Sequence, residues 1–182
     1  MAKEIRSNVA NETSGASRGH AGILDTLEVE HAELAELMNQ VTAHGDELEA
    51  RLQLYARIRK LLLVHGKAEE AELYPVLRRE APMQSLISEA KDQHQAMERL
   101  IAQIDRTPVD APAWFDLFEQ LQDDVERHVH REENQLFPAC REALEASTLR
   151  DMDSRYKRCR ESVKEQIADL EPARHPGYRP SV

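Results

Sequence analysis

The sequence predicts an all-α protein, an up-down-up-down four-helix bundle carrying an additional C-terminal helix. Three observations lead there. Apolar residues recur at helical spacing over four long stretches and a fifth, weaker one, with no alternating strand pattern of useful length. Aromatic residues are only 4% of the 182, and there are 6 glycines, a poor supply for a sandwich or barrel. The connections are short, which makes sequential helices antiparallel neighbours.

The first helix is expected from Gly22 to His44, with Ile23, Leu27, Leu34, Leu37, Met38 and Val41 on its apolar stripe and Gly45 as the residue that ends it. The second runs from Glu47 to Glu80 through Leu48, Leu52, Tyr55, Ile58, Leu62 and Leu73, and Pro75 should kink or break it near its end. The third, entered through Ala81-Pro82, spans Met83 to Asp105 with Ile87, Ala90, Met97, Leu100, Ile101 and Ile104 facing inward. The fourth begins near Pro112, carries Trp114, Phe118, Leu121, Val125 and Leu136, and ends at Pro138. The fifth, from Ser147 to Leu170, has Met152, Tyr156 and Val163 on one face and charge elsewhere. Residues 1–20 read as a disordered tail, 21–145 as the bundle, 146–171 as the additional helix and 172–182 as a second disordered tail.

Charge and cysteine usage narrow the function. Lys+Arg 24 against Asp+Glu 34 gives a net charge of −10, which argues against a general nucleic-acid binder and an anionic-membrane binder. The longest strongly apolar run, Leu61 to Val64, is far short of the roughly 20 residues of a membrane span. Residues 1–20 lack the apolar stretch of a secretory signal. Two cysteines, Cys140 and Cys159, cannot make a disulfide framework, so a cytoplasmic location is expected.

An internal repeat sets the register. Shifted by 63 residues, the span 23–80 overlays 86–143 without a gap. Leu34 meets Met97, Leu37 meets Leu100 and Tyr55 meets Phe118; His31 meets His94, and His65 meets His128. Glu69 meets Glu132, Glu70 meets Glu133, Tyr74 meets Phe137 and Pro75 meets Pro138. Each of the four histidines lies on the apolar stripe of its helix. At about 1.5 Å rise per residue they fall within about one helical turn of each other in height. Glu69 and Glu132 stand four residues after His65 and His128, on the same face. Glu70 and Glu133, about 100° further around, read as supporting or surface residues.

A lone histidine on a core stripe is usually a packed, hydrogen-bonded one. Four at one height together with two core-facing glutamates are different, because unpaired buried carboxylates are very costly and a metal removes that cost. His31, His65, His94, His128, Glu69 and Glu132 are therefore the candidate ligands. They are too many for one tetrahedral zinc and include no thiolate. They suit two ions, iron first and manganese next, each with two histidines and both glutamates as bridges. Glu28-x-x-His31 fits the di-iron pattern of ferritin-like bundles, but Lys91 precedes His94 in its repeat partner, so that pattern fails.

The segments Glu30-His31, His65-x-x-x-Glu69-Glu70-x-x-Leu73-Tyr74-Pro75, His94, and His128-x-x-x-Glu132-Glu133-x-x-Leu136-Phe137-Pro138 resemble the hemerythrin-like, or HHE cation-binding, domain over residues 22–143. The resemblance implies a non-haem di-iron centre, two iron ions with an oxo or hydroxo bridge. It implies the four histidines as terminal ligands and Glu69 and Glu132 as bridges. The oxygen carriers of that family have a further histidine one turn from the third-helix ligand. Here those positions are Ala90 and Glu98. Glu98 either ligates or pairs with Arg99 or Lys91 at the bundle edge. The chain is thus similar to members that bind oxygen, nitric oxide or peroxide in oxygen or iron sensing, or in oxidative and nitrosative stress. A regulatory module with a protein partner, and iron-centre repair or ferroxidase-like activity, are the alternatives.

The remaining candidates have bland readings. His130 faces outward, and His20, His44 and His175 are expected in solvent. Cys140 is a core residue and Cys159 partly exposed. Tyr74 and Phe137 fill space between helices, with an electron- or hydrogen-bond-donor role the minority reading for Tyr74, and the basic group Arg155, Lys157, Arg158 and Arg160 is a solvated face.

Overall fold

The computed structural model describes residues 22–43, 47–79, 83–171 and 174–178. Gly45, the Ala81-Pro82 entry, the 1–20 tail, His20 and His44 lie outside them. Every regular element among the described residues is helical. In chain order they are α1 (Ile23–Ala43), α2 (Leu48–Glu72), the single turn α3 (Tyr74–Leu77), α4 (Gln84–Ile104), α5 (Pro112–Arg131), a π-helical segment (Glu132–Leu136), α6 (Phe137–Ala143) and α7 (Ala146–Gln166). α1 packs on α2 and α5, α4 packs on α5 and α2, and α7 lies over the outer side of the α1–α2 pair. No described helix is long and apolar enough to cross a membrane.

The two signature prolines interrupt their helices in different ways. Neither has an N–H to continue the i→i−4 ladder. At Pro75 the chain stops: α2 closes with the Leu73 N–H on Glu69 O (2.9 Å) and restarts as α3 with proline in its first turn. At Pro138 the chain continues by widening: the Phe137 N–H reaches back five residues to Glu132 O, and α6 starts with proline in its first turn. A π turn absorbs the missing donor without a break.

The interior is layered. One apolar cluster, including Leu34, Met38, Tyr55, Ile58, Ile101, Trp114 and Phe118, fills one end. A second, including Ile23, Leu27, Leu73, Leu77, Ile87, Leu136 and Phe137, fills the other. Met152 and Tyr156 of α7 belong to the second cluster, and both are fully buried.

Two expectations need correction. Residues 174–178, placed in a disordered tail, form a turn tucked under the bundle: the Val109 N–H donates to Pro176 O (2.9 Å), and the buried His175 ring lies edge-on to Tyr55. Gly177 makes that turn possible with φ 78°; a Cβ there would run into Asp110 Oδ1. The basic residues of α7 are not simply solvated. Arg155 pairs with Glu72 (3.0 Å), Lys157 with Asp153 (2.7 Å) and Arg160 with Glu30 (3.1 Å).

Met152→Ala should therefore cost about 2–5 kcal/mol of stability in urea unfolding, as for a fully buried core methionine, whereas Cys159→Ala on the rim of the same helix should cost about 1 kcal/mol or less. Equal losses would mean that α7 is not docked through this stripe.

Candidate metal centre

Between the two apolar clusters lies a polar layer built by the long helices. α1 supplies His31, α2 supplies His65 and Glu69, α4 supplies His94, and α5 with its π extension supplies His128 and Glu132. All six side chains are at most 5% exposed. Each imidazole points Nε2 inward. Glu69 Oε2 lies 3.3 Å from His65 Nε2 and 3.3 Å from His94 Nε2. Glu132 Oε2 lies 3.4 Å from His31 Nε2 and 3.5 Å from His128 Nε2. Each glutamate thus faces one histidine from each half of the repeat. The donor atoms fall into two groups, His31, His65, Glu69 and Glu132 in one, and Glu69, His94 and His128 in the other.

The inward atoms are poorly served by protein partners alone. His31 Nε2, His65 Nε2, Glu69 Oε1 and Glu132 Oε2 are buried and make no hydrogen bond. The outward atoms are all satisfied. His31 Nδ1 faces Glu133 Oε1 at 2.9 Å, His65 Nδ1 faces Glu30 Oε2 at 3.0 Å, His94 Nδ1 faces Glu70 Oε1 at 3.3 Å and His128 Nδ1 faces Gln93 Oε1 at 3.1 Å. An oxygen on the outer nitrogen of every ring leaves the inner nitrogen's lone pair directed at the centre, the arrangement that metal-ligating histidines adopt. Nitrogen and carboxylate oxygen donors without a thiolate fit a divalent first-row metal.

The family model of the hemerythrin HHE cation binding domain matches residues 22–140. The chain belongs to the hemerythrin HHE cation-binding domain family. The crystal structure of an HHE domain-containing protein from Mycobacterium kansasii is similar in fold, with a TM-score of 0.70 at 20% identity over 80% of this chain and 89% of that one. A curated relative, a DNA nickase of Nostoc sp., is 28% identical over 158 residues, which are 85% of this chain. The chain spans 44% of the length of that relative.

Within this HHE bundle several side chains stand where sequence reasoning did not put them. Tyr74 takes the donor role that was its minority reading: its hydroxyl sits at the centre, 3.2 Å from Glu132 Oε1, 3.4 Å from Glu69 Oε2 and 3.4 Å from His94 Nε2. The break before α3 swings it inward, whereas its repeat partner Phe137 stacks on the His31 ring. Glu98 is exposed and bonds to Lys67 (3.3 Å), not to Arg99 or Lys91, and is absent from both donor groups. Glu70 and Glu133, expected as supporting or surface residues, are partly exposed and face the outer nitrogens of His94 and His31. The roles of Glu30, Gln93, Tyr156 and Arg160 beside the histidines were not foreseen. Tyr156 Oη donates to Glu30 Oε2 (2.7 Å), and Arg160 holds the other oxygen of that carboxylate. The sequence signals for Glu30 were its place beside His31 in the Glu30-His31 segment and its alignment with Gln93 in the repeat.

With only protein groups facing one another, the histidines differ sharply. Burial would lower His31, but the Glu132 and Glu133 carboxylates outweigh it and raise its pKa to about 10. Burial is likewise outweighed at His94, by Glu69 and Glu70, and its pKa also rises to about 10. At His128 burial wins and the pKa falls to about 4. Burial pushes the Glu132 carboxyl up, but the imidazoles of His128 and His31 hold it well below the usual carboxylate range.

These shifts fix the sign of a pH dependence for protein stripped of metal. A histidine raised from 6.5 to about 10 stabilises the fold fully below pH 6.5, and that contribution is lost as pH climbs towards 10. A histidine lowered from 6.5 to about 4 removes stability as pH falls from 6.5 towards 4. Chelator-treated protein should therefore be most stable near pH 6.5 in urea unfolding. A flat profile from pH 6.5 to 9 would rule out the pairing of His31 and His94 with their carboxylates.

Proposed function

We propose that this chain is a cytoplasmic non-haem di-iron protein that binds oxygen, nitric oxide or peroxide, acting in oxygen or iron sensing or in oxidative and nitrosative stress. In this reading His31 and His65 hold one iron, His94 and His128 the other, and Glu69 and Glu132 bridge them. The carrying observation is the wiring of the polar layer. Every imidazole has its outer nitrogen on an oxygen and its inner nitrogen beside a buried carboxylate that it shares with the opposite half. Two glutamates facing four imidazoles support a two-ion count better than a single site. The cytoplasm suits two unpaired cysteines.

Bound iron would supply reversible coordination and a redox change to a small ligand. The chain's own residues select that ligand by access. A seam between α2 and α4, lined by Leu62, Leu63, Gly66, Met97 and Ile101, leads to His94. It is apolar and narrow, which admits diatomics and restricts bulky or strongly hydrated substrates. Gly66 leaves the His94 ring its room: a Cβ there would come within 3.2 Å of His94 Nδ1. Glu98 and Lys67 stand at its outer edge, paired with each other.

Three measurements test the reading. Purified protein should hold about two irons per chain, and Glu69→Ala with Glu132→Ala should remove most of that metal; unchanged metal content in the double variant would overturn the bridge assignment. Tyr74→Phe removes an oxygen that contacts both carboxylates and should weaken metal retention about 10- to 100-fold with little change in helicity. Met97→Ala should speed autoxidation of the iron(II)-loaded protein while iron content holds, because it widens the seam. Unaltered autoxidation would place ligand entry elsewhere.

A further inference from the structure

The four outer partners of the imidazoles are not equivalent. Glu133 on His31 and Glu70 on His94 are repeat partners, both carboxylates, with side chains 36% and 37% exposed. The other pair differs. His65 Nδ1 meets the Glu30 carboxylate, 5% exposed, whereas His128 Nδ1 meets the neutral amide oxygen of Gln93. The Glu30 carboxylate is also fixed from outside the bundle: Tyr156 Oη donates to Oε2 at 2.7 Å, and Arg160 Nε lies 3.1 Å from Oε1. Both come from α7, which covers α1 and α2. On the other side Gln93 lies between α4 and α5 beside an open surface hollow shared with Asp92, Asp124 and Arg127.

A carboxylate on the outer nitrogen makes an imidazole a stronger donor than an amide does, and such outer partners change metal affinity by about 10- to 100-fold. We infer that the two metal positions are unequal and that α7 sets the difference. Tyr156 and Arg160 are positioning residues that hold Glu30 on His65. The His31/His65 position therefore retains its ion, and the His94/His128 position is the labile one. This inference rests on the metal-centre reading above.

The test uses the full chain loaded anaerobically with iron(II) enriched in the Mössbauer isotope and then mixed with excess chelator. Wild-type protein should show two quadrupole doublets of equal area and should release iron in two phases whose rates differ about tenfold or more. Glu30→Gln, which copies the amide of the other half, should speed the slow phase about tenfold and leave the fast phase alone. Tyr156→Phe keeps the buried ring and removes only the hydroxyl; it should move the slow phase in the same direction. Gln93→Glu should slow the fast phase and bring the two doublets together. Lys157→Ala, on α7 but away from Glu30, should change neither phase, which separates positioning from general support by the helix. Circular dichroism and melting of each variant verify the fold, and Gln93→Glu carries the test alone if Glu30→Gln does not fold. Wild-type protein that holds two irons but releases them in one phase overturns the inference, as does Glu30→Gln accelerating both phases or neither. Wild-type protein that takes up only trace iron overturns the metal-centre reading itself.

Discussion

The burial of Glu69 and Glu132 is the constraint on which the rest of this molecule depends. Their side chains are 0% and 2% exposed, in a layer between two clusters of mostly apolar side chains. Two carboxylates in such a place would cost several kcal/mol each if left unpaired. They are tolerated because each faces two imidazoles, one from each half of the chain. That requirement forces α1, α2, α4 and α5 to present a histidine at the same height. It also splits the hydrophobic core into two clusters, one on each side of the polar layer. The bundle is thus held by apolar packing at its ends and by electrostatic pairing in its middle, and neither part is sufficient for the other's geometry.

The repeat supplies this symmetry, and the prolines show how far it can be bent. Pro75 and Pro138 occupy equivalent positions and remove equivalent hydrogen bonds. One half breaks its helix and the other widens it into a π turn. The outcome is chemical as well as geometric. Beyond the break the chain turns the Tyr74 hydroxyl into the polar layer, while the continuous half places Phe137 flat against the His31 ring. A duplicated backbone therefore carries an oxygen donor on one side and an apolar wall on the other.

The sequence made the candidate ligands readable because two periodicities coincide there. Helical spacing puts His31, His65, His94 and His128 on core stripes, and the repeat aligns them in pairs with Glu69 and Glu132. Both signals are local or follow from a constant shift, so no tertiary information is needed. What escaped depends on other geometry. The inward swing of Tyr74 follows from how the chain restarts after a proline, which spacing does not encode. Tyr156 reaches Glu30 across 126 residues of sequence, from a helix whose charged faces look solvated. His175 sits in a proline- and glycine-rich segment that composition assigns to a tail, yet Gly177 folds it into a turn against Tyr55. Glu98 was left open between two roles because i+4 spacing from His94 gives proximity, not direction; its side chain leans outward to Lys67.

The place of α7 follows from the same electrostatic logic. Burial pushes the Glu30 carboxyl up, yet His65, Tyr156 and Arg160 together hold it below its ordinary range. Without α7 that carboxylate would lose two of its three partners and a neutral residue would be the cheaper choice. The opposite half illustrates this: no described helix covers α4 and α5 as α7 covers α1 and α2, and the equivalent position is Gln93. A buried anion is used where a helix can supply a hydroxyl and a guanidinium, and an amide where it cannot. The C-terminal helix is then part of the polar layer's construction, and the asymmetry of the two halves traces to where that helix docks, not to the duplicated candidate ligands themselves.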